Sequence, residues 1–497
     1  MATPTNVTAP ESSASFPIPD GTLWVGGVRR EGTRADVRDP WTGDVVAEVT
    51  LADAKAIEEA TRAAEHGFER LRRLPSIERK NVLRRIAAAI AARHEELARL
   101  LVRECGKPIT HARAEVTRGI ATFELAAEES VRLVGETMPL DVTAASIGYS
   151  GRWTRVPTGP VLGIAPFNFP LNLVAHKVAP ALAAGASIVL KPPPQAPLAA
   201  LALASIVRES GAPPGSLEVV PTTNELAETM VRDDRFKVLS FTGSAKVGFA
   251  LKAIAGKKRV VLELGGNAAV IVHEDANVPV ALDRIVNGAF GYAGQVCIKV
   301  QRLFVARSIA EDVVAALVER TRKIAPADPF DDSTVLGAMI DEANAVRVER
   351  WVEEGHAAGG RLLVRPRRDG AKLSPAVVEF ASDAPGVKIV DEEVFGPVLT
   401  VHRYDTWDEA LARVDATRYG LQAGIFTDSH ACIEKAYRDL HVGGLVVNDV
   451  PTFRVDVMPY GGMRDSGIGR EGVRFAMEDM TERKLMVVRD LSELPAR

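Results

Sequence analysis

The chain has 497 residues, enough for two to four domains, and its hydrophobic (46%) and charged (25%) fractions are ordinary for a globular enzyme. Its net charge of −4, from 61 basic and 65 acidic residues, gives no electrostatic reason to expect nucleic acid or an anionic membrane as a partner. No apolar run approaches the roughly 18 to 20 residues that a membrane span requires.

The first 264 residues divide into stretches of different character. Residues 1 to about 20 are rich in Ser, Pro, Thr and Ala, which is typical of a mobile arm. Residues from about 52 to 136 show helical periodicity, and residues 140–160 are turn-broken and partly β-branched. From residue 160 onward, helices (one between Pro170 and Gly185, the next over 198–209) alternate with apolar runs, which predicts a parallel, doubly wound sheet. The expected strands are 161–165, 187–190, 217–220, 238–241 and 260–264.

A second α/β series follows residue 267. Its expected strands are 268–272, 303–305, 398–401 and 424–426. A final apolar segment, 484–488, has no obvious partner in its own neighbourhood, so it could pair across a subunit interface. The fold class expected from both series is α/β, with two doubly wound parallel sheets.

Cysteine usage and the start of the chain bear on location. The three cysteines, Cys105, Cys297 and Cys432, cannot form a disulfide framework and fit a reducing compartment. The first residues lack the basic and apolar regions of a secretory signal, and no CxxC or HExxH spacing predicts a metal. We therefore expect a cytoplasmic, metal-free protein in which one cysteine is available for catalysis.

Three residues carry the candidate chemistry. Cys297 follows a Gly-Gln turn, Glu263 closes an apolar strand, and Asn168 lies in a Pro-Phe-Asn-Phe-Pro segment. Each has a structural alternative, since most free cysteines are simply buried and Glu or Asn can cap or form a turn. Together they supply a nucleophile, a water-activating base and an oxyanion donor, the minimum set for covalent acyl chemistry.

Two features are compatible with a phosphate-bearing ligand. Gly243 and Ser244 follow a strand and open a helix, where free backbone N–H groups favour an anion. The loop is not a P-loop, because Phe249 rather than Lys follows Gly248. Lys191 ends a strand, where it is either a solvated surface charge or a donor to a ribose or phosphate hydroxyl, and the spacing alone does not choose.

Several short motifs occur in a fixed order along the chain. They are PFNFP (166–170), FTGS (241–244), ELGG (263–266), GQVC (294–297), EEVFGP (392–397), and PYGG (459–462) with SGIGRE (466–471). This ordered set resembles the aldehyde dehydrogenase superfamily over roughly residues 25–490. The similarity is nearest to the non-acylating branch that acts on lactaldehyde, semialdehydes and phosphonoacetaldehyde.

The resemblance implies a mechanism. Cys297 attacks the aldehyde carbon, the Asn168 amide and the Cys297 backbone N–H hold the oxyanion, and hydride passes to a nicotinamide. Glu263 then activates water to cleave the thioester, while Lys177 and Glu471 match a pair that relays protons. The expected product is the carboxylate.

The resemblance also implies a dinucleotide site for NADP or NAD. Glu393 matches the residue that holds the nicotinamide ribose, and Phe395 packs against the same moiety. The remaining residues at matching cofactor-binding positions are Ala165, Pro166, Phe167, Lys191, Pro194, Gly243, Ser244, Val247, Gly248, Leu264 and Gly265.

The sequence departs from the family pattern at two places. Many NAD-preferring relatives carry Glu at the position of Pro194, where it binds the ribose 2′-hydroxyl. Without that carboxylate a 2′-phosphate is not repelled, so we expect NADP to be accepted, with NAD as the alternative. In addition, Thr222-Thr223-Asn224 replaces a glycine-containing turn, which leaves the adenosine contacts open.

The family fold implies a division of the chain and an oligomer. The cofactor-binding domain would comprise 1–137 and 157–266, the catalytic domain 267–457, and the return segment with the C-terminal strand 458–497. An oligomerisation hairpin, a small β element at 138–156, would join that strand. A homodimer or homotetramer is expected.

The substrate is less determined. Residues 448–454 resemble relatives that act on short aldehydes, some with an anionic tail. Arg113 and Arg454 are candidates to bind such a tail, and each is also plausible as a surface charge. The alternatives are a CoA-acylating enzyme, against which Glu263 argues, a catalytically silent member of the fold, and a cysteine hydrolase without nicotinamide.

Overall fold

The structure, a computed structural model, describes residues 19–381 and 384–490, so nearly all of the predicted N-terminal arm lies outside it. The described chain opens with two hairpins and four helices. Asp53 caps the first helix by accepting from the Ala56 amide, and Gly106 ends the third with a φ of 64°. The elements are β1 (Leu23–Val25), β2 (Val28–Arg30), β3 (Arg34–Arg38), β4 (Val45–Thr50), α1 (Ala54–Leu71), α2 (Ser76–Ala92), α3 (His94–Cys105) and α4 (Ile109–Glu129).

A two-stranded excursion, β5 (Glu136–Pro139) and β6 (Tyr149–Pro157), precedes the first large sheet. Five strands of this sheet are parallel, in the order β11-β10-β7-β8-β9. The chain starts at β7, adds β8 and β9 on one side of it, and then adds β10 and β11 on the other side. The loops after β7 and β10 therefore flank a crevice of the kind in which α/β proteins bind ligands. The elements are β7 (Val161–Ile164), α5 (Asn172–Ala184), β8 (Ile188–Lys191), α6 (Leu198–Glu209), β9 (Leu217–Val219), α7 (Asn224–Arg232), β10 (Val238–Gly243), α8 (Ala245–Ile254) and β11 (Arg259–Leu264).

The second large sheet has seven strands, in the order β14-β17-β18-β13-β12-β19-β20, all parallel except β14. Its elements are β12 (Ala269–Val272), α9 (Val278–Phe290), β13 (Arg302–Ala306), α10 (Ala310–Arg322), α11 (Glu342–Ala357), β14 (Arg361–Val364), β15 (Arg368–Asp369), β16 (Lys372–Leu373), β17 (Ala376–Phe380), α12 (Lys388–Asp391), β18 (Val398–Tyr404), α13 (Trp407–Asp415), β19 (Gln422–Phe426), α14 (His430–Asp439) and β20 (Gly444–Val447).

The C-terminal segment returns to the first sheet through β21 (Gly467–Ile468), α15 (Val473–Asp479) and β22 (Thr481–Arg489). β21 adds to the edge of β11 and pairs Gly467 with Glu263, which brings the last motif beside the candidate base. β22 pairs along its whole length with β6 in a sheet of order β22-β6-β5. The segment 484–488, for which the sequence showed no obvious partner in its own neighbourhood, thus pairs with a distant strand of the same chain.

Both faces of each large sheet are covered. In the first sheet, Val161 and Ile188 face a core shared with α2 to α6, whereas their neighbours Leu162 and Val189 face a second core shared with α1. This two-sided burial explains the near-continuous apolar runs in the strands. The predicted α/β class with two doubly wound parallel sheets is confirmed. Of the described helices, none is long and apolar enough to cross a membrane.

Candidate active site

Cys297 lies in a loop between a 3₁₀ turn at Gly291–Gly294 and β13. Tyr292 and Ala293 in that turn have φ of 52° and 53°, a left-handed conformation that costs on the order of 1 to 3 kcal/mol for a non-glycine residue. The surrounding packing therefore fixes the course of the loop. Burial raises the pKa of Cys297 to about 11, so the thiol is protonated at neutral pH until a base acts on it.

Asn168 is brought to the cysteine loop by a hydrogen bond. It follows β7 and is almost fully buried, and its Nδ2 donates to the Gln295 carbonyl at 3.0 Å. An amide nitrogen carries two hydrogens, and only one is used here. The second hydrogen remains available to an oxygen bound near Cys297.

Glu263 is the penultimate residue of β11 and is 3% exposed. Neither carboxylate oxygen has a hydrogen-bond partner among the described residues. A Cβ at Gly461 would lie 2.8 Å from Oε1, so the glycine makes room for the carboxylate. Burial raises the pKa of Glu263 well above its usual value, and the Glu471 carboxylate adds to this. Such an unpartnered, buried acid is costly and typical of a functional site.

Glu471 lies between two buried cations. Its Oε1 is 3.6 Å from Lys177 Nζ, and its Oε2 accepts from Arg454 Nη2 at 2.8 Å. Although burial favours the neutral acid, Lys177 and Arg454 outweigh it and hold the pKa of Glu471 below its usual range. Lys177 Nζ also donates to Thr242 Oγ1 (2.7 Å), which links Glu471 to the carboxyl end of β10.

Arg454 is the centre of a second group of contacts. Its guanidinium carbon lies 3.7 Å from the centroid of the Tyr460 ring, and the Tyr460 hydroxyl is 3.1 Å from Cys297 Sγ. On its other side, Nη2 lies 3.5 Å from His176 Nε2, which in turn bonds Asp456 at 2.8 Å. Arg454 is thus separated from the candidate nucleophile by a single tyrosine ring.

A cavity of about 860 Å³ opens beside Arg454. It lies between α2 and α4 and the segment 454–457, and Arg118 lines it too. Arg118 Nη2 donates to Asp456 Oδ1 at 2.6 Å. The Nε atoms of Arg118 and Arg454 are both buried without a partner among the described residues, so each guanidinium has a donor to offer to an anion.

The candidate cofactor cation, Lys191, ends β8 and is 4% exposed. Burial lowers the pKa of Lys191, and no carboxylate is among the groups that act on it. The loop after it carries Pro194, whose side chain is exposed. A buried ammonium without an acidic partner fits a ribose or phosphate oxygen, which is the donor chemistry expected for a nicotinamide dinucleotide.

The glycine loop after β10 leads into α8. Ser244 caps this helix and accepts from the Val247 amide at 3.4 Å. Gly248 packs so closely that a Cβ there would meet Leu264, the last residue of β11, at 2.6 Å. The helix N-terminus and the loop of Ala165, Pro166 and Phe167 after β7 therefore face the same crevice, on neighbouring strands.

Glu393 and Phe395 come from the second large domain to this crevice. Glu393 Oε1 accepts from the Gly266 amide at 3.3 Å, and a Cβ at Gly265 would overlap its carboxylate. Burial raises the pKa of Glu393 to about 7. Phe395 has a φ of 47° and makes an edge contact with the Phe167 ring, at 5.8 Å between centroids.

Arg113 is not brought to this site. Its guanidinium donates to Glu95 at 2.9 Å and to Asp332, and the side chain is 37% exposed. Two surface carboxylates therefore occupy the donors that a substrate tail would need. The other cysteines are also elsewhere: Cys105 is buried beside Tyr292, and Cys432 lies on α14.

The chain matches the aldehyde dehydrogenase family over residues 27–486. It belongs to this family. The resemblance read from the motifs is thereby confirmed, and the protein is an oxidoreductase of aldehydes. It is 39% identical over 456 residues to the 3-sulfolactaldehyde dehydrogenase of Priestia aryabhattai, covering 92% of this chain and 95% of that enzyme.

Two solved aldehyde dehydrogenases show the same fold at high similarity. One is aldehyde dehydrogenase 21 from Physcomitrella patens, in complex with the reaction product succinate. It is 43% identical with a TM-score of 0.91, over 95% of this chain and 99% of that one. The other is the glyceraldehyde-3-phosphate dehydrogenase GapN from Methanocaldococcus jannaschii, complexed with NADP. It is 36% identical with a TM-score of 0.88, over 93% of this chain and all (100%) of that one.

Sequence reasoning missed several residues of this candidate site. Arg118 lies on α4 and His176 on α5, and neither belongs to a recognisable motif. Tyr460 was noticed only as part of the PYGG motif. Its hydroxyl contact with Cys297 spans 163 residues and has no signal in the local sequence.

Proposed function

We propose that this aldehyde dehydrogenase oxidises a short aldehyde with an anionic tail to the carboxylate, with NADP or NAD as oxidant and water as acyl acceptor. The observation that carries the proposal is the placement of Arg454, which contacts the tyrosine that touches Cys297 and keeps a buried donor free. A cation so close to the nucleophile suits a substrate whose charged group and carbonyl are only a few atoms apart.

The chain's own residues supply the acyl chemistry. The Cys297 thiolate attacks the aldehyde carbon, and the free Asn168 amide hydrogen with the Cys297 backbone N–H stabilises the resulting oxyanion. A nicotinamide bound in the crevice would supply the hydride acceptor needed for oxidation of this adduct to a thioester. Glu263 takes a proton from water, which attacks the thioester and releases the acid and the thiol.

Glu263 is suited to this work by its environment. Its raised pKa makes the ionised form a stronger base than an exposed carboxylate, and its oxygens are not consumed by protein donors. Lys177 and Glu471, whose side chains are within 3.6 Å of each other, form the route by which we propose that the proton leaves. Thr242 extends that route to the cofactor loop.

The tail site consists of Arg454 and Arg118. The Nε atom of each guanidinium is buried without a partner among the described residues, and both arginines border the same cavity. Burial lowers the pKa of His176, so this imidazole is neutral at neutral pH and the positive charge of the tail site comes from the two arginines. The substrate name of one relative (3-sulfolactaldehyde) and the product bound to another (succinate) both describe anionic groups, which supports the proposal.

The cofactor proposal rests on Lys191 and Pro194. Among the described residues no carboxylate contributes to the lowered pKa of Lys191, and proline contributes neither a carboxylate nor a donor at the adjacent loop. A 2′-phosphate would therefore meet a cation without meeting an anion. We propose that NADP is accepted at least as well as NAD, in line with the NADP complex of the archaeal neighbour.

We also propose a homodimer or homotetramer, with residues 138–156 and β22 as the oligomerisation element. The outer edge of β22 is unpaired in the described chain, and Leu485, Met486, Val487 and Val488 on it are 43–52% exposed. An open edge strand of nine residues that carries four consecutive exposed apolar side chains favours pairing with a second chain. The cofactor domain is then 1–137 with 157–266, and the catalytic domain 267–457. The mass of the protein in solution tests the assembly.

A matched pair of aldehydes tests the proposed activity. Lactaldehyde and 3-sulfolactaldehyde differ only in the sulfonate, so their turnover isolates the contribution of the tail. We expect Cys297-dependent formation of reduced nicotinamide with a preference of at least about tenfold for the sulfonate, from a charge-assisted contact. Equal turnover of both, or equal rates for the parent and Cys297→Ala, would refute the proposal. Product analysis with and without CoA separates hydrolysis from acylation.

A further inference from the structure

Tyr460 is held firmly against the nucleophile. It is 4% exposed, and its backbone forms a two-way bridge with Glu471, in which each amide donates to the other residue's carbonyl. Its ring packs with Ile298 and Leu421 in a small apolar cluster. The hydroxyl consequently has a fixed position, 3.1 Å from Cys297 Sγ.

The direction of this hydrogen bond depends on the state of the sulfur. A neutral thiol and a phenol can each donate to the other, whereas a thiolate only accepts. Once Cys297 loses its proton, the Tyr460 hydroxyl is the donor. Hydrogen bonds to a charged acceptor are about twice as strong as those between neutral groups, so the contact favours the thiolate over the thiol.

Arg454 strengthens the tyrosine as a donor. Its guanidinium lies over the ring face at 3.7 Å, where a cation withdraws electron density from the phenol. The charges that face Cys297 act in both directions, since Arg454 favours the thiolate while Glu393 and Glu263 oppose it. The hydrogen bond from Tyr460 therefore counteracts two carboxylates that disfavour ionisation of the Cys297 thiol.

We propose that the Tyr460 hydroxyl donates to the Cys297 thiolate and is a catalytic residue that sets the thiolate population. This inference rests on the proposed role of Cys297 as nucleophile. Tyr460 keeps its own proton throughout, and the proton of the thiol leaves to bulk water. When the sulfur forms its bond to the aldehyde carbon it loses its negative charge, and the hydrogen bond weakens.

A hydrogen bond from Tyr460 to the thiolate should leave a distinct pH dependence in the reaction rate of Cys297. A donor that stabilises the thiolate raises its concentration at neutral pH but lowers the reactivity of each thiolate. Removal of the Tyr460 hydroxyl should slow the reaction of Cys297 with an alkylating reagent at neutral pH. At high pH, where the thiol is already ionised, the reaction should be as fast or faster. A tyrosine that only fills space would alter the rate equally at every pH.

The test is alkylation of Cys297 by short pulses of iodoacetamide from pH 7 to 12, a range that spans the thiol pKa of about 11, followed by the mass of the Cys297 peptide. Tyr460→Phe retains the ring and loses only the hydroxyl. Tyr437→Phe, on the exposed face of α14, is the matched control, and Cys297→Ala gives the background. We expect the labelling midpoint of Tyr460→Phe to rise by about one pH unit, or about tenfold slower labelling at pH 7, with Tyr437→Phe unchanged.

An unchanged midpoint, or a rate changed by the same factor at every pH, would overturn the inference. The experiment uses no aldehyde and no nucleotide. Its failure therefore leaves the proposed aldehyde oxidation standing, and failure of that oxidation leaves the Tyr460 result readable.

Discussion

The Arg454 guanidinium donates to the Glu471 carboxylate at 2.8 Å, so one cation belongs both to the proposed tail site and to the proposed proton route. Through its contact with Tyr460, the same residue also reaches the nucleophile. Substitution of Arg454 should consequently affect selectivity and chemistry together. This dual role distinguishes it from Arg118, which bonds Asp456 and has no contact with Glu471 among the described pairs.

Arg454→Gln should abolish the preference for an anionic aldehyde. Loss of the charge-assisted contact is expected to reduce kcat/KM for 3-sulfolactaldehyde by about 10- to 100-fold, and that for lactaldehyde less. Arg454→Lys should restore part of the preference, because it keeps the charge but not the guanidinium fork. The matched control is Arg438→Gln, on the surface of α14. A ratio of the two kcat/KM values that is unchanged in Arg454→Gln would contradict the tail site.

Asn168→Ala should lower kcat by about 10²- to 10³-fold with little change in KM, because the oxyanion donor acts in the transition state. Iodoacetamide labelling of Cys297 should remain near the parent rate, since Asn168 contacts the loop through Gln295 and not through the thiol. Asn287→Ala, an exposed position on α9, is the control. A fall in kcat below about fivefold would argue against the amide as oxyanion donor.

Pro194→Glu should move cofactor preference toward NAD. A carboxylate near Lys191 would repel the 2′-phosphate of NADP and accept from the 2′-hydroxyl of NAD, so the NADP/NAD ratio of kcat/KM should fall at least about tenfold. Gln195→Glu places the same charge one exposed residue further on and controls for a general electrostatic effect. Equal shifts in both variants would mean that position 194 does not contact the ribose.

The sequence predicted the strand-helix series of 160–264 well, and the reason lies in burial. Both faces of these strands are covered, so they form apolar runs bounded by turns, and 198–209 was found as a helix with those bounds. Short strands such as β14 and β20 were missed because they lie at the edges of the second sheet and are only partly buried. The pairing of β22 with β6 joins segments more than 300 residues apart, which no local pattern reports.

The residues of the candidate site also fall into two groups, those that the sequence identifies and those that only the structure identifies. Residues in motifs, such as Cys297 and Glu263, could be named from the sequence, whereas the choice of arginine on α4 could not. Arg113 and Arg118 are five residues apart, which rotates them by about 140° around a helix. One consequently faces Glu95 and Asp332 at the surface, and the other faces Asp456 at the cavity. Only the packing of α4 reveals which face is which.

Glu263→Gln should stabilise the protein in a pH-dependent way. The pKa of Glu263 is raised in the folded state, whereas it is about 4.3 in an unfolded chain. The free energy of unfolding therefore falls as pH rises from about 4 toward the folded pKa, because the folded chain holds this proton more tightly. The amide removes this loss, so the gain in melting temperature should be larger at pH 8 than at pH 5. Glu434→Gln, exposed on α14, should show no such difference. Equal gains at both pH values would mean that Glu263 is not a buried acid.

The most direct test of the account is the fate of the acyl group on Cys297 when the proposed base is removed. Glu263→Gln, mixed with 3-sulfolactaldehyde and NADP, should form about one equivalent of reduced nicotinamide per active site and then stop. The Cys297 peptide should carry the added mass of the acyl group. Continued turnover at the parent rate, or a stopped reaction with an unmodified Cys297 peptide, would contradict a thioester that Glu263 hydrolyses.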